Sequence, residues 1–205
     1  MQRVYAFIDG FNLYHAIDEL NCPHLKWLDL WALAERFVSR RTQKLEKVFL
    51  FSSHTTWKPG SYRRQRIFFK AVTAKGVEIQ LGRFQKGTSE CRACGRRWET
   101  HEEKQTDVNL ASFLIAYAGA KGYDRAILMS QDSDFSLPVE LVEKLGKPVR
   151  VVLPPNRRYG GRLIQLASEK SRITVQQLMD CQLEDTVRDK SGRVVARRPQ
   201  EYVEK

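Results

Sequence analysis

Long apolar stretches are absent from this chain of 205 residues. No run approaches the ~18 consecutive apolar residues of a membrane span, and the first residues lack the apolar core of a secretion signal. Only four cysteines occur, and a chain of this length can bury a sizeable core without a framework of disulfides. There is also no internal repeat. We therefore expect a cytoplasmic protein that has no membrane partner.

Acidic residues are in deficit: 24 Asp and Glu stand against 35 Lys and Arg, for a formal net charge of +11. This balance favours a polyanionic partner, with nucleic acid the leading candidate, although surface charges can also serve only to solvate a protein. Several arginines stand near aromatic residues, as in proteins that bind single strands. The candidate nucleic-acid-binding residues are Arg63, Arg64, Arg66, Arg96, Arg97, Arg157 and Arg158.

Short apolar runs alternate with segments of helical periodicity along most of the chain. The predicted strands are residues 4–8, 48–51, 77–81, 126–129 and 149–153, with a last short one at 173–175. The predicted helices are residues 12–19, 30–38, 59–75, 108–118, 137–145 and 163–168. The alternation predicts an α/β fold, a three-layer sandwich with a central parallel sheet. We expect the domain to span residues 1–178, with an inserted loop at 83–104 and a mobile basic tail at 188–205.

Four aspartates are the candidate catalytic residues. Asp9, Asp132 and Asp134 follow predicted strands, and the carboxyl ends of parallel strands are where ligands collect. Asp107 begins a predicted helix, on the face that packs against the sheet. Each alone could be a cap or a turn residue, but four clustered carboxylates are best explained by a hard divalent cation, Mg²⁺ or Mn²⁺. The supporting residues, which could orient an aspartate or a bound water, are Asn12, Ser130 and Ser133.

These acids occur in three segments, Phe7 to Leu13, Glu103 to Val108 and Ser130 to Phe135. Together they resemble the signature blocks of the NYN domain family, and in particular its LabA-like branch of PIN-like nucleases. The resemblance implies a Rossmann-like fold, metal-binding acids at the four aspartates with Asn12 beside them, and a nuclease. We expect a metal-dependent endoribonuclease that hydrolyses phosphodiester bonds of RNA; the arginines near aromatic residues favour single strands, and DNA is a further candidate substrate. Gln131 stands where the family's block usually has a glycine.

Two other functions are compatible with the same residues. The chain could be a non-catalytic RNA-binding or regulatory module, which the Gln131 departure favours. It could also be another Mg²⁺-dependent phosphoryl hydrolase, because aspartates at strand ends serve many reactions.

A CxxC motif lies in the inserted segment and suggests a zinc knuckle. Cys91 and Cys94 would supply two thiolates and His101 a third ligand; a reduced dithiol and a plain turn are the alternatives. The fourth ligand is not evident from the sequence. The candidates are His54, Cys22, His24, Glu102 or a residue from a second copy of the chain in a homo-oligomer.

Overall fold

The computed structural model describes residues 1–204, and ten strands occur within them. They are β1 (Gln2–Asp9), β2 (Gln43–Ser52), β3 (Glu78–Leu81), β4 (Arg83–Glu90), β5 (Arg97–Lys104), β6 (Arg125–Met129), β7 (Val149–Leu153), β8 (Glu169–Arg172), β9 (Thr186–Arg188) and β10 (Val194–Arg197). Most of β1, β6 and β7 is buried, as expected for strands that are covered on both faces.

Seven α-helices lie in the same part of the chain. They are α1 (Gly10–Asp18), α2 (Leu30–Glu35), α3 (Pro59–Ala74), α4 (Thr106–Gly119), α5 (Ser136–Lys144), α6 (Gly161–Leu166) and α7 (Val175–Asp180). Across residues 1–204, no helix combines the length and the apolar character that crossing a membrane requires.

Six strands form one parallel sheet in the order β3-β2-β1-β6-β7-β8. If the β4–β5 hairpin is left out of the count, this is the Rossmann order 3-2-1-4-5-6, so the predicted α/β class is confirmed. The strand order reverses between β1 and β6. In such sheets the crevice beyond the carboxyl ends of the two central strands is the usual ligand site.

The two faces of the sheet are covered by separate hydrophobic clusters. Because side chains alternate along a strand, Ala6 and Ile8 of β1 lie in one cluster, whereas Tyr5 and Phe7 lie in the other. The first cluster includes buried residues of α1, α2 and α3, and the second includes those of α4, α5 and α6. The crevice between β1 and β6 is therefore held by a rigid scaffold on both sides.

Residues 83–104, expected to be a loop, are instead an antiparallel hairpin of β4 and β5. Its strands are mostly exposed and polar, so the apolar alternation that marks a half-buried strand is missing from them. The last strand of the sheet was also misplaced, since it lies at Glu169–Arg172 and contains no apolar residue. It is stabilised by backbone pairing with β7 at the sheet edge.

The predicted mobile tail is wrong for the described residues 188–204. This segment contributes to the β9–β10 hairpin and a 3₁₀ turn at Gln200–Tyr202. Val187, Ala196 and Tyr202 are buried in the same cluster as α3. These three apolar side chains complete this side of the core. They stand among scattered charged residues, so the sequence shows no apolar periodicity there.

Candidate functional site

Asp9 ends β1 at the strand-order reversal and is 5% exposed. Its Oδ1 accepts the backbone N–H of Asn12 at 3.0 Å, which caps α1. Its Oδ2 accepts the hydroxyl of Ser130 at 2.9 Å. The chain turns sharply after Asp9 because the next residue is glycine: a Cβ on Gly10 would lie 2.6 Å from the carbonyl oxygen of Phe51.

The loop after β6 is fastened to Asp9 and α1 by a short series of hydrogen bonds. Ser130 Oγ also accepts the backbone N–H of Asp132 at 3.0 Å. Asn12 Oδ1 accepts the backbone N–H of Gln131 at 3.2 Å. Asp132 Oδ1 in turn accepts the backbone N–H of Asp134 at 2.9 Å. Asn12 and Ser130 thus position the aspartates of this loop relative to Asp9.

The same loop contains Gln131 and Ser133, which are both exposed. Gln131 has no positive φ, so its backbone conformation does not require a glycine. Ser133 is exposed, and its carbonyl oxygen accepts the hydroxyl of Ser136 at 2.5 Å.

Asp107 lies in the first turn of α4, directly after the hairpin. The chain enters this helix through Gln105, whose φ of 77° is in the left-handed region that non-glycine residues rarely adopt. Glu103 lies one residue before the end of the hairpin and accepts the hydroxyl of Ser53 at 3.4 Å. Ser53 also shares a hydrogen bond with Thr106 at 3.2 Å, and both are buried.

Glu103 is a site residue that the sequence analysis did not assign. It belongs to the Glu103 to Val108 segment, four residues before Asp107, and this spacing was the available signal. Its neighbour Ser53 follows the carboxyl end of β2, so the hairpin returns Glu103 to the same edge of the sheet as the aspartates. The cluster therefore contains a fifth carboxylate.

The pKa values show that these acids share one environment. Burial, together with the charges of Asp107 and Asp132, raises the pKa of Asp9 to about 6, and the hydrogen bonds from Asn12 and Ser130 oppose this rise. Burial is also the main cause that raises the pKa of Asp107, followed by Asp132 and Asp134. The apo site is thus electrostatically strained.

The same holds for Glu103. Burial raises its pKa to about 7, and the charges of Asp107 and Asp9 add to this effect, while hydrogen bonds with Thr106 and Ser53 oppose it. Two acids of the cluster, Glu103 and Asp9, therefore titrate between pH 5 and 8 when no cation is present.

The donor set fits a hard divalent cation by its chemistry, because oxygen ligands with net negative charge are what Mg²⁺ and Mn²⁺ prefer. Within residues 1–204, however, no three His, Cys, Asp or Glu side chains already converge as a metal-binding group. Asp107 and Asp134 are exposed and free to change rotamer. The carboxylates are thus neighbours that a cation would draw together.

The predicted zinc knuckle is not assembled. Cys91 and Cys94 adjoin at the hairpin tip, where hydrogen bonds from the backbone of Ala93 and Cys94 lower the pKa of the Cys91 thiol. His101 lies opposite Lys86 in the hairpin. Lys86 is five residues before Cys91, so His101 is separated from Cys91 by roughly 16 Å at the rise of a strand. The tip alone therefore offers two of the four ligands of a structural zinc site.

Backbone hydrogen bonds close the hairpin tip. The backbone N–H of Cys91 donates to the carbonyl of Arg96 at 2.9 Å, and that of Gly95 to the carbonyl of Cys91 at 2.8 Å. Gly95 has a φ of 68°, which glycine adopts without strain. These contacts form a turn; the reduced dithiol and the zinc knuckle stay predictions.

The arginines predicted to bind nucleic acid occupy three different surfaces. Arg63, Arg64 and Arg66 lie on α3, and Arg96 and Arg97 lie at the exposed hairpin tip, where Arg97 pairs with Glu90 at 2.7 Å. Arg158 is exposed in the loop after β7. Arg157 is half-buried and is engaged in an ion pair at the surface, since both of its terminal nitrogens donate to Glu19 at 2.7 Å.

The NYN domain matches residues 3–170 of the chain. The chain belongs to the NYN domain family. Its aspartate cluster, its parallel sheet and the crevice between β1 and β6 all fall inside the matched residues. Membership in this family of PIN-like nucleases makes nucleic acid the class of substrate to consider for the NYN domain of this chain.

One solved structure with a similar fold is that of a protein of unknown function from Vibrio parahaemolyticus. The two chains share 22% sequence identity with a TM-score of 0.55, over 89% of this chain and 96% of that chain. At this identity the likeness concerns the fold alone. No curated protein matches this NYN chain.

Proposed function

We propose that this NYN protein is a metal-dependent endoribonuclease that hydrolyses phosphodiester bonds of single-stranded RNA. The observation that carries the proposal is the buried carboxyl of Asp9, whose pKa is raised to about 6 at the strand-order reversal, with further acids close enough to raise it. Such strain is costly in a purely structural site and is relieved by a divalent cation.

Asp9, Asp107, Asp132 and Asp134 are the residues that would hold Mg²⁺ or Mn²⁺, with Glu103 beside them. When bound, such an ion would neutralise their charge, bind a phosphodiester oxygen and activate a water for attack on phosphorus. The chain's own contribution is positional. Ser130 and Asn12 fix Asp9 and the β6 loop through hydrogen bonds, so that Asp9 is held in place while the exposed Asp107 and Asp134 would move toward the ion.

The charge of the chain supports a polyanionic substrate. Its net charge of +11 accompanies an acidic cluster, so the excess positive charge lies elsewhere on the surface. α3 contributes Arg63, Arg64, Arg66 and Lys70 with no acidic residue. This helix begins near the carboxyl end of β2, on the side of the sheet edge where the acids lie, and it could attract the RNA backbone.

The experiment that tests the proposal uses purified protein with end-labelled single-stranded RNA, single-stranded DNA of the same sequence and a small phosphate ester. Each substrate is incubated with Mn²⁺, Mg²⁺ or EDTA. We expect internal cleavage of the RNA with Mn²⁺ or Mg²⁺ and none with EDTA.

Other outcomes of this panel would contradict the proposal. Binding of RNA without cleavage under any condition would identify a non-catalytic RNA-binding module. Turnover of the phosphate ester alone would identify a different phosphoryl hydrolase. Cleavage that persists in EDTA would exclude the metal-dependent site.

A further inference from the structure

A cleft of about 460 Å³ opens directly beside the carboxylates. Gly10 and Glu103, which belong to the site, also line the cleft, so the two are continuous. The other walls come from α1, residues 26–30, the end of β2, residues 55–58, α3, the β4–β5 hairpin and Tyr202 of the C-terminal segment. Its volume lies within the ~300–1,000 Å³ of small-molecule sites, so it can admit a nucleotide but not a duplex.

Flat aromatic rings form the hairpin side of the cleft. Trp57 stacks on His101 with ring centroids 4.1 Å apart and an interplanar angle of 11°. Phe84 meets Trp57 edge-on at 4.3 Å, and it meets Phe11 edge-on at 5.6 Å. Trp57 and Phe84 both remain partly exposed. Rings of this kind are the surfaces on which proteins stack unpaired bases.

Basic side chains also line the cleft. Lys58 is exposed at its edge, immediately before α3. Arg64 lines it from α3, with its guanidinium held by Glu201 at 3.1 Å and by the hydroxyl of Ser61 at 3.3 Å. A base with an attached phosphate matches this combination of rings and cations.

We infer that this cleft receives one unpaired nucleobase of the RNA strand, adjacent to the phosphodiester held at the carboxylates. The base stacks at Trp57 and Phe84, and its own phosphate lies near Lys58. This inference rests on the proposed function and deepens it. It gives a physical reason for a single-strand preference, because a paired base cannot leave its helix to enter the cleft without the cost of unpairing.

The test uses a ten-nucleotide RNA in which each position in turn carries an abasic ribose, so that every probe has the same charge. Affinities are measured in EDTA by competition against a fluorescent copy of the intact strand. We expect one position at which base removal weakens binding by about 5- to 100-fold, as for a stacked base. Trp57→Ala should weaken binding of the intact strand and abolish that position-specific loss.

Two further variants separate stacking from misfolding. Trp57→Phe keeps a ring and should retain part of the position-specific loss. Trp98→Ala removes an exposed aromatic at the hairpin tip, outside the cleft, and should retain all of it. Circular dichroism and melting of each variant check that it is folded.

Three outcomes would overturn the inference. They are equal affinity for every abasic probe, a position-specific loss of affinity that persists in folded Trp57→Ala protein, and no binding of any probe. The proposed function fails separately. RNA cleavage with no positional loss would refute the cleft and leave the nuclease, whereas a Trp57-dependent loss without cleavage would refute the nuclease and leave the cleft.

Discussion

At the scale of single residues, Asp9 has the environment that differs most from an ordinary surface aspartate. It caps α1, accepts the hydroxyl of Ser130 and is nearly inaccessible to water. Because its folded pKa of about 6 lies above the ordinary aspartate value of 3.8, the native state without metal binds a proton more tightly than the unfolded chain. Asp9 therefore contributes stability at low pH and loses it as pH rises through 6.

The variant Asp9→Asn should reveal this directly. Asparagine keeps an oxygen that can cap α1 but has no titrating proton. In EDTA, the wild type should lose stability between pH 4 and pH 7, whereas the variant has no such proton to lose. The difference in free energy of unfolding, variant minus wild type, should therefore increase over this range by at most about 3 kcal/mol for a pKa shift near two units. Urea unfolding across this range measures it. A flat or falling difference would mean that Asp9 is not strained.

The residues of the site were predictable to different degrees. Asp9 and Asp132 follow apolar strands whose carboxyl ends must meet at one edge of a parallel sheet, so the pattern was sufficient to propose them. Glu103 was missed because its burial depends on the hairpin that carries it back to Ser53 and Thr106, and a polar hairpin has no apolar periodicity to predict it. The separation of His101 from Cys91 was hidden for the same reason.

At the scale of elements, the junction between the hairpin and α4 determines where Asp107 and Glu103 lie. Gly82 links β3 to β4 and packs tightly against this junction. A Cβ at Gly82 would lie 2.5 Å from Thr106 Oγ1, 2.7 Å from the carbonyl oxygen of Lys104 and 2.8 Å from Ser53 Oγ. Gly82 is thus required by close packing, since its φ is not positive.

Gly82→Ala should therefore displace the hairpin from α4. We expect a loss of about 1–3 kcal/mol in the free energy of unfolding, as for other overpacked positions, together with reduced RNA cleavage. The matched control is Gly119→Ala at the end of α4, where nothing lies within 4 Å of the added Cβ. It should leave stability unchanged or raise it by up to about 1 kcal/mol. Equal effects of the two substitutions, measured by urea unfolding, would contradict this packing argument.

Elements with apolar periodicity were predicted, and those stabilised by other interactions were not. β7 was predicted at its observed bounds, Val149–Leu153, because both of its faces are covered. β8 has no apolar residue and exists through pairing at the sheet edge. The C-terminal hairpin has apolar residues at Val187 and within Val194–Arg197. They are too few among the charged residues to form a recognisable strand periodicity.

At the scale of the whole molecule, arginines lie both near the acidic site and far from it. Arg63 and Arg66 are on α3, which lines the cleft beside the carboxylates. Arg40 and Arg41 are exposed just before β2 begins, at the opposite edge of the sheet. These two pairs carry the same charge, so they test whether its position matters.

Replacing Arg63 and Arg66 with Ala should weaken RNA binding and reduce the slope of log affinity against log salt by roughly 1–1.5, since each lost contact to a single-strand phosphate accounts for about 0.7. Replacing Arg40 and Arg41 should change the slope much less. Fluorescence anisotropy at several salt concentrations measures both. The same slope change in the two double variants would show that net charge, not a defined surface, governs binding.

The central claim is that the carboxylates at the strand-order reversal cut RNA. It is tested most directly by the single-turnover cleavage rate of Asp132→Asn with Mn²⁺, beside Asp180→Asn, an exposed aspartate at the end of α7 that pairs with Arg36. We predict that Asp132→Asn lowers the rate at least about 100-fold, since mutating a group that only orients a metal's ligands already lowers metal affinity or activity by about 10–100-fold. Its melting temperature in EDTA should be equal to or above that of the wild type, because one repelling charge is gone. Asp180→Asn should cut at the wild-type rate. A folded Asp132→Asn protein that cleaves RNA as fast as the wild type would contradict the account.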